Sequence, residues 1–200
     1  MKKIGKILFK YRSYTPLPFV FAMILFMQPT LLSMVLGFIV AALGEAVRVW
    51  SVGYAGSETR TTSGVGGSNL VTQGPYAIIR NPLYWGNIMI YAGVGIMSNA
   101  LFPWLVIIAF LYFVFQYYAI ILNEEEYLRN TYKDEFETYC SHVKRFLPLP
   151  KELPESAKSK LQFELSEGFR SERRSLQAVT IVTLIIVLGY LVNTYGWFRN

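Results

Sequence analysis

Three stretches of this sequence contain no Asp, Glu, Lys or Arg: residues 13–44, 81–123 and 175–198. Each exceeds the roughly 20 residues that a helix needs to cross a bilayer. A backbone inside lipid must satisfy its own hydrogen bonds, so such stretches fold as helices. Hydrophobic residues make up 53% of the chain and charged ones 16%, more apolar and less charged than a soluble domain. These observations predict an all-α, polytopic membrane helix bundle. Its 200 residues suit one membrane domain, 1–200. The chain has a single cysteine, Cys140, and a single histidine, His142. That excludes an internal disulfide and a Cys/His-rich metal site, so no metal is expected.

Residues 1–12, MKKIGKILFKYR, resemble the basic start of a signal peptide. No small-x-small cleavage site follows the apolar run, so the segment is expected to stay as a basic interfacial stretch against anionic lipid. Residues 13–55 read as a helical hairpin. Its first helix covers 17–27, extended backward over 11–16, and its second runs from Leu31 to about Tyr54 after a turn at Gln28-Pro29-Thr30. Glu45 and Arg48, three apart, share a helix face. They read either as a mutual salt bridge or as the polar end of a ligand cavity. Residues 56–82 form a loop, and Gly64-Val65-Gly66-Gly67 in it matches no phosphate-binding fingerprint.

Residues 83–122 read as a second hairpin, its first helix carrying Gly86, Gly93 and Gly95 for close helix approach. Glu124, Glu125 and Glu126 then open a polar region, 123–175. Within it Leu128, Tyr132, Phe136 and Tyr139 recur at helical spacing, predicting an amphipathic helix at the membrane surface. Residues 176–196 give a fifth transmembrane helix, with Trp197 as its far anchor. The expected bundle therefore has about five transmembrane helices. Placing the N-terminus inside puts 17 of the 19 Lys and Arg residues on the cytoplasmic face: five in 1–12, two in the central loop and ten after the fourth helix. The positive-inside rule fixes that orientation. The net charge of +6 is thereby attributed to the membrane face, and no nucleic-acid partner is expected. The expected setting is a bacterial- or archaeal-type plasma membrane, with the active site facing the cytoplasm.

The densest functional signal is LVTQGPYAIIRNPLYWGN, residues 70–87. Gly74-Pro75 signals a turn, and Pro82 suits the first turn of a helix while keeping Asn81 out of it. Arg80 offers a planar fork for a carboxylate, and Glu124 with Glu125 offers acceptors for an ammonium or for ribose hydroxyls. The aromatic faces of Tyr76, Tyr84 and Trp85 suit a cation. A zwitterionic amino acid bearing a sulfonium meets all of these, and S-adenosylmethionine is such a molecule.

The run GPYAIIRNPLYWG, Gly74 to Gly86, is similar to the GPYxxxRHPxYxG signature of the isoprenylcysteine carboxyl methyltransferase and phospholipid N-methyltransferase superfamily. A second signature resembles Glu124-Glu125-Glu126-Tyr127-Leu128 through Pro148. The resemblance spans about 37–150. It implies a membrane-embedded, S-adenosylmethionine-dependent methyltransferase. Its cofactor pocket would draw on Gly74, Pro75, Tyr76, Arg80, Asn81, Pro82, Tyr84 and Gly86 from the first motif and on Glu124 and Glu125 from the second. Arg80, Glu124 and Glu125 are the candidate catalytic residues. The acceptor would be a membrane lipid or a prenylated or otherwise lipophilic molecule, such as an isoprenylcysteine carboxylate or a phospholipid amine. Asn81 stands where the superfamily usually has histidine, and asparagine cannot carry a charge or shuttle a proton at neutral pH. For an amine acceptor the candidate bases are Glu124, Glu125 and His142. Two other readings share the sequence pattern: an NADPH-dependent sterol-reductase-like enzyme and a non-catalytic membrane protein.

Overall fold

The computed structural model describes residues 2–56, 69–148 and 151–196. The Gly64–Gly67 run and Trp197, both used above, lie outside the described residues. The described residues form six α-helices and two short 3-10 turns, with no strand. The helices are α1 (Lys2–Tyr11), α2 (Leu17–Leu25), α3 (Leu31–Ala55), α4 (Pro82–Ser98), α5 (Trp104–His142) and α6 (Leu165–Tyr195). Three of them, α3, α5 and α6, are long and apolar enough to cross a membrane. The α4 helix has 17 residues and α2 has nine.

The backward extension of α2 over 11–16 does not form. Residues 12–16 are turns, because proline disfavours helix at the residue before it and Thr15 precedes Pro16. Thr15 instead turns its hydroxyl onto the Arg12 carbonyl at 3.1 Å. α3 packs chiefly on α4, while α2 leans on α4 and α5. Phe19 of α2 meets the rings of Tyr112 and Phe113 at 5.3 Å.

Small residues explain the α3–α4 pairing. Gly37, Ala41 and Gly44 face Gly86 and Gly93. A Cβ at Gly93 would stand 2.5 Å from the Ala41 nitrogen and 2.6 Å from the Gly37 carbonyl oxygen. Backbone cannot yield as a side chain can. Gly93→Val is therefore expected to destabilise the bundle by about 1–3 kcal/mol, read as a loss of thermal stability in detergent. Gly95→Val should cost less, since its nearest neighbours are the side chains of Val106 and Met23. Sequence spacing identified Gly86 and Gly93 but not their counterparts on α3.

The turns at one end of the bundle are clasped together. Gln28 donates its backbone N–H to Ser98 O at 2.9 Å, and Asn99 Nδ2 donates to Gln28 O at 3.0 Å. A capping box between Thr30 and Ser33 starts α3 at this end. The segment after Pro75 and the Glu124–Glu126 run consequently lie together at the opposite end, where Arg80 reaches Glu125.

α5 does not stop where charge begins. Its glutamates and leucine are good helix formers, so the helix continues to His142, with one non-helical residue, Lys133 (φ 44°, ψ −116°). The apolar face expected to lie on lipid is buried in protein instead. Phe136 and Tyr139 pack with Leu70, Val143, Leu153 and Ala157, and Leu128 and Tyr132 join them. α6 likewise starts earlier than its apolar run, at Leu165. That early part brings Glu172 to Arg48, whose Nη2 donates to Oε2 at 2.7 Å and whose Nε donates at 3.1 Å. Arg48 also donates to Asn87, and Ser175 donates to Glu45 at 2.6 Å. Glu172, which sequence reading did not connect to Arg48, is thus its principal counter-ion. A buried charge requires such a partner.

Candidate functional site

The site is built on the loop that precedes α4. Thr72, fully buried, ties its start to the segment before α6. Its hydroxyl donates to Ala157 O at 2.9 Å and accepts from Ser159 N at 2.7 Å. Gly74 then turns with φ +58°, and Tyr54 packs where a side chain would otherwise stand. Residues Gly74–Ala77 form a 3-10 turn, and the Pro75 carbonyl accepts from Ile78 and Ile79. The Tyr139 hydroxyl donates to Tyr76 O at 2.7 Å, fixing the turn to α5. Burial, with the Glu124 charge adding to it, raises the Tyr76 phenol's pKa well above its ordinary value, so this ring stays neutral.

After the turn the loop runs beside residues 143–146. Arg80 N donates to Lys144 O at 3.0 Å, Asn81 Nδ2 lies 3.5 Å from Arg145 O, and Trp85 Nε1 donates to Phe146 O at 3.0 Å. Trp85, whose aromatic face the sequence offered to a cation, is thereby a bridge between the two motifs. Pro82 opens α4.

These backbone ties bring the charged groups together. Glu125, only 4% exposed, accepts from Arg145 Nε at 3.0 Å and Nη2 at 2.5 Å. Arg80 Nη2 stands 3.5 Å from the same carboxylate, and Arg80 Nη1 donates to Cys140 Sγ. The third guanidinium nitrogen, Arg80 Nε, is buried without a hydrogen-bond partner. Glu124 accepts from the Tyr84 hydroxyl at 2.6 Å, and the Tyr84 ring stacks on Tyr117 at 4.6 Å.

Of the residues singled out from sequence, Arg80 and Glu125 meet in one cluster and Tyr84 and Glu124 in an adjoining contact. Gly86 faces the other way, against Arg48 and the Gly44 carbonyl of α3. His142 Nδ1 lies 2.8 Å from Thr138 O and 2.9 Å from Ser141 Oγ. Arg145, Cys140, Tyr139 and Thr72 were not anticipated. Their only sequence signal was proximity to the glutamate motif or to Gly74, and the contacts depend on the path of residues 143–159. Among the described residues no group of three His, Cys, Asp or Glu stands together for a metal. The cluster fits the carboxylate end of S-adenosylmethionine in one respect: Arg80 keeps an unspent, desolvated donor, which a carboxylate would satisfy.

A family model described as phospholipid methyltransferase matches residues 32–135, which contain Arg80, Tyr84, Glu124 and Glu125. The chain belongs to the phospholipid methyltransferase family. This is a family of membrane methyltransferases. The chain is also 32% identical over 121 residues to the cobalt-zinc-cadmium resistance protein CzcN of Cupriavidus metallidurans, covering 60% of this chain and 50% of that protein. It is 33% identical over 113 residues to the nickel-cobalt-cadmium resistance protein NccN of Alcaligenes xylosoxydans xylosoxydans, covering 56% and 47%. The chain thus spans about half the length of these curated relatives. No solved structure matches it. α1, α2, Arg145 and α6 lie outside the segment that the family model matches.

Proposed function

We propose that this chain is an integral-membrane methyltransferase that uses S-adenosylmethionine and acts on a lipophilic acceptor presented by the bilayer. The observation that carries this reading is the junction of Arg80 with Glu125, one from each motif, with a desolvated donor left over on Arg80. Family membership supports the reaction class. When bound, S-adenosylmethionine supplies a methyl carbon activated by its sulfonium. Arg80 would hold the cofactor's carboxylate, and Glu125 with Arg145 keeps that guanidinium in place. Tyr76, Tyr84 and Glu124 would line the remainder of the pocket, with the aromatic faces suited to the positive sulfur. Asn81, Gly74, Pro75, Pro82 and Gly86 shape the backbone around it. Burial of the cluster excludes water and fixes alignment, which is the protein's main contribution to a displacement of this kind. A carboxylate or thiolate acceptor needs no base, and for an amine acceptor Glu124 is the candidate base.

The concentration of Lys and Arg described above supports a cytoplasmic N-terminus and a cytoplasmic site. In that arrangement α3, α4, α5 and α6 cross the bilayer, and the first crossing is made by residues 12–27 as a whole, since the nine residues of α2 are too few to cross alone. The test is methyl transfer from radiolabelled S-adenosylmethionine by purified protein into lipid extracts. The named relatives suggest preparing extracts from cells grown with and without cobalt, zinc or cadmium. Label entering an organic-phase product, and absent with Arg80→Ala protein, is the expected result. No labelled product from any extract would contradict the reading.

A further inference from the structure

Gln73 immediately precedes the turn of the first motif, and neither the sequence reading nor the cluster around Arg80 uses its side chain. Its backbone is pinned on both sides. On one side Thr72 N donates to Ser159 Oγ at 3.2 Å, while the Thr72 hydroxyl is fixed by Ala157 and Ser159. On the other, Gly74 is held at φ +58° beneath Tyr54, whose ring centroid lies 5.2 Å from that of Phe163. The Gln73 carbonyl itself accepts from Tyr76 N at 3.1 Å. Its side-chain Oε1 is nevertheless buried with no hydrogen-bond partner.

A carbonyl oxygen removed from water without a partner is costly, and such atoms in native proteins call for an explanation. Here the orphaned acceptor, Gln73 Oε1, sits seven residues before the orphaned donor, Arg80 Nε, on the same pinned loop. One is suited to an N–H donor and the other to an anion. We propose that Gln73 is a ligand contact whose Oε1 accepts a hydrogen bond from an amino group of the bound S-adenosyl compound. The segment that holds it, Ala157 to Phe163, lies beyond the family-matched residues and serves to position it. The proposal rests on the S-adenosylmethionine reading above. The amino group has two sources on that ligand, the α-ammonium and the amine of adenine.

The test is calorimetric titration of the full-length protein in detergent with S-adenosylhomocysteine and with 5′-methylthioadenosine, which keeps adenine but lacks the amino-acid end. Gln73→Leu, which removes the acceptor, is expected to weaken S-adenosylhomocysteine binding at least about tenfold. Gln73→Glu, which keeps an acceptor oxygen, is expected to retain the affinity. A loss in Gln73→Leu confined to S-adenosylhomocysteine assigns the α-ammonium, and an equal loss for both ligands assigns the adenine amine. Either upholds the proposal. Unchanged affinity in Gln73→Leu, or an equal loss in Gln73→Leu and Gln73→Glu, overturns it while leaving the methyltransferase reading intact. Wild-type protein that binds neither ligand overturns both.

Discussion

Glu125→Ala is expected to destabilise the folded protein by about 3–5 kcal/mol, the range for removing one partner of a buried ion pair. The carboxylate is 4% exposed, and it is the common acceptor for two arginines that approach from different segments. Without it Arg80 and Arg145 face each other across a desolvated gap. Arg145, with 27% of its side chain exposed, can turn toward water. Arg80, at 12%, has no such outlet. The loss is therefore placed in the junction between the loop before α4 and residues 143–146. Denaturation of detergent-purified protein, followed by loss of helical signal, measures it. A midpoint equal to wild type would mean that the pair contributes nothing to holding the two motifs together.

Arg80→Ala should separate binding from stability in the opposite sense. Glu125 keeps its bidentate partner Arg145, so no carboxylate is stranded and the fold should survive. Affinity for S-adenosylhomocysteine should fall by roughly 2–5 kcal/mol, the cost of truncating one member of a buried charge pair, or about thirtyfold to several thousandfold. Arg80→Lys should not rescue it fully, because an ammonium cannot reproduce the planar donor set. Calorimetry against S-adenosylhomocysteine, with the melting temperature recorded on the same sample, checks both parts. Unchanged affinity in a folded Arg80→Ala protein would remove Arg80 from the pocket.

The contrast between these substitutions indicates what the sequence could and could not convey. Charge-free runs forecast an all-helical membrane protein because lipid leaves the backbone few alternatives. The meeting of Arg80 with Glu125 could be anticipated because both belong to recognisable motifs on ends of helices that a two-turn topology brings together. Arg145 could not, since its position relative to Glu125 depends on how the chain leaves α5 after His142. The start of α6 was hidden for a related reason: residues 165–175 are polar, so an apolar-run criterion begins the helix too late. Yet that polar stretch holds Glu172, the counter-ion of Arg48. The pairing of α3 with α4 was half visible, in Gly86 and Gly93, but the sequence does not say which helix a glycine face will meet. Gln73 was invisible altogether. Its interest lies in a bond that its side-chain oxygen does not make, which only the folded chain reveals.

The central claim is that the pocket before α4 takes an S-adenosyl compound. The most direct measurement is the binding of S-adenosylhomocysteine and of NADPH, each titrated separately into the same detergent-purified protein. Saturable binding of S-adenosylhomocysteine that disappears in Arg80→Ala, with no binding of NADPH, is the predicted result. Arg80-dependent binding of NADPH without binding of S-adenosylhomocysteine would contradict it.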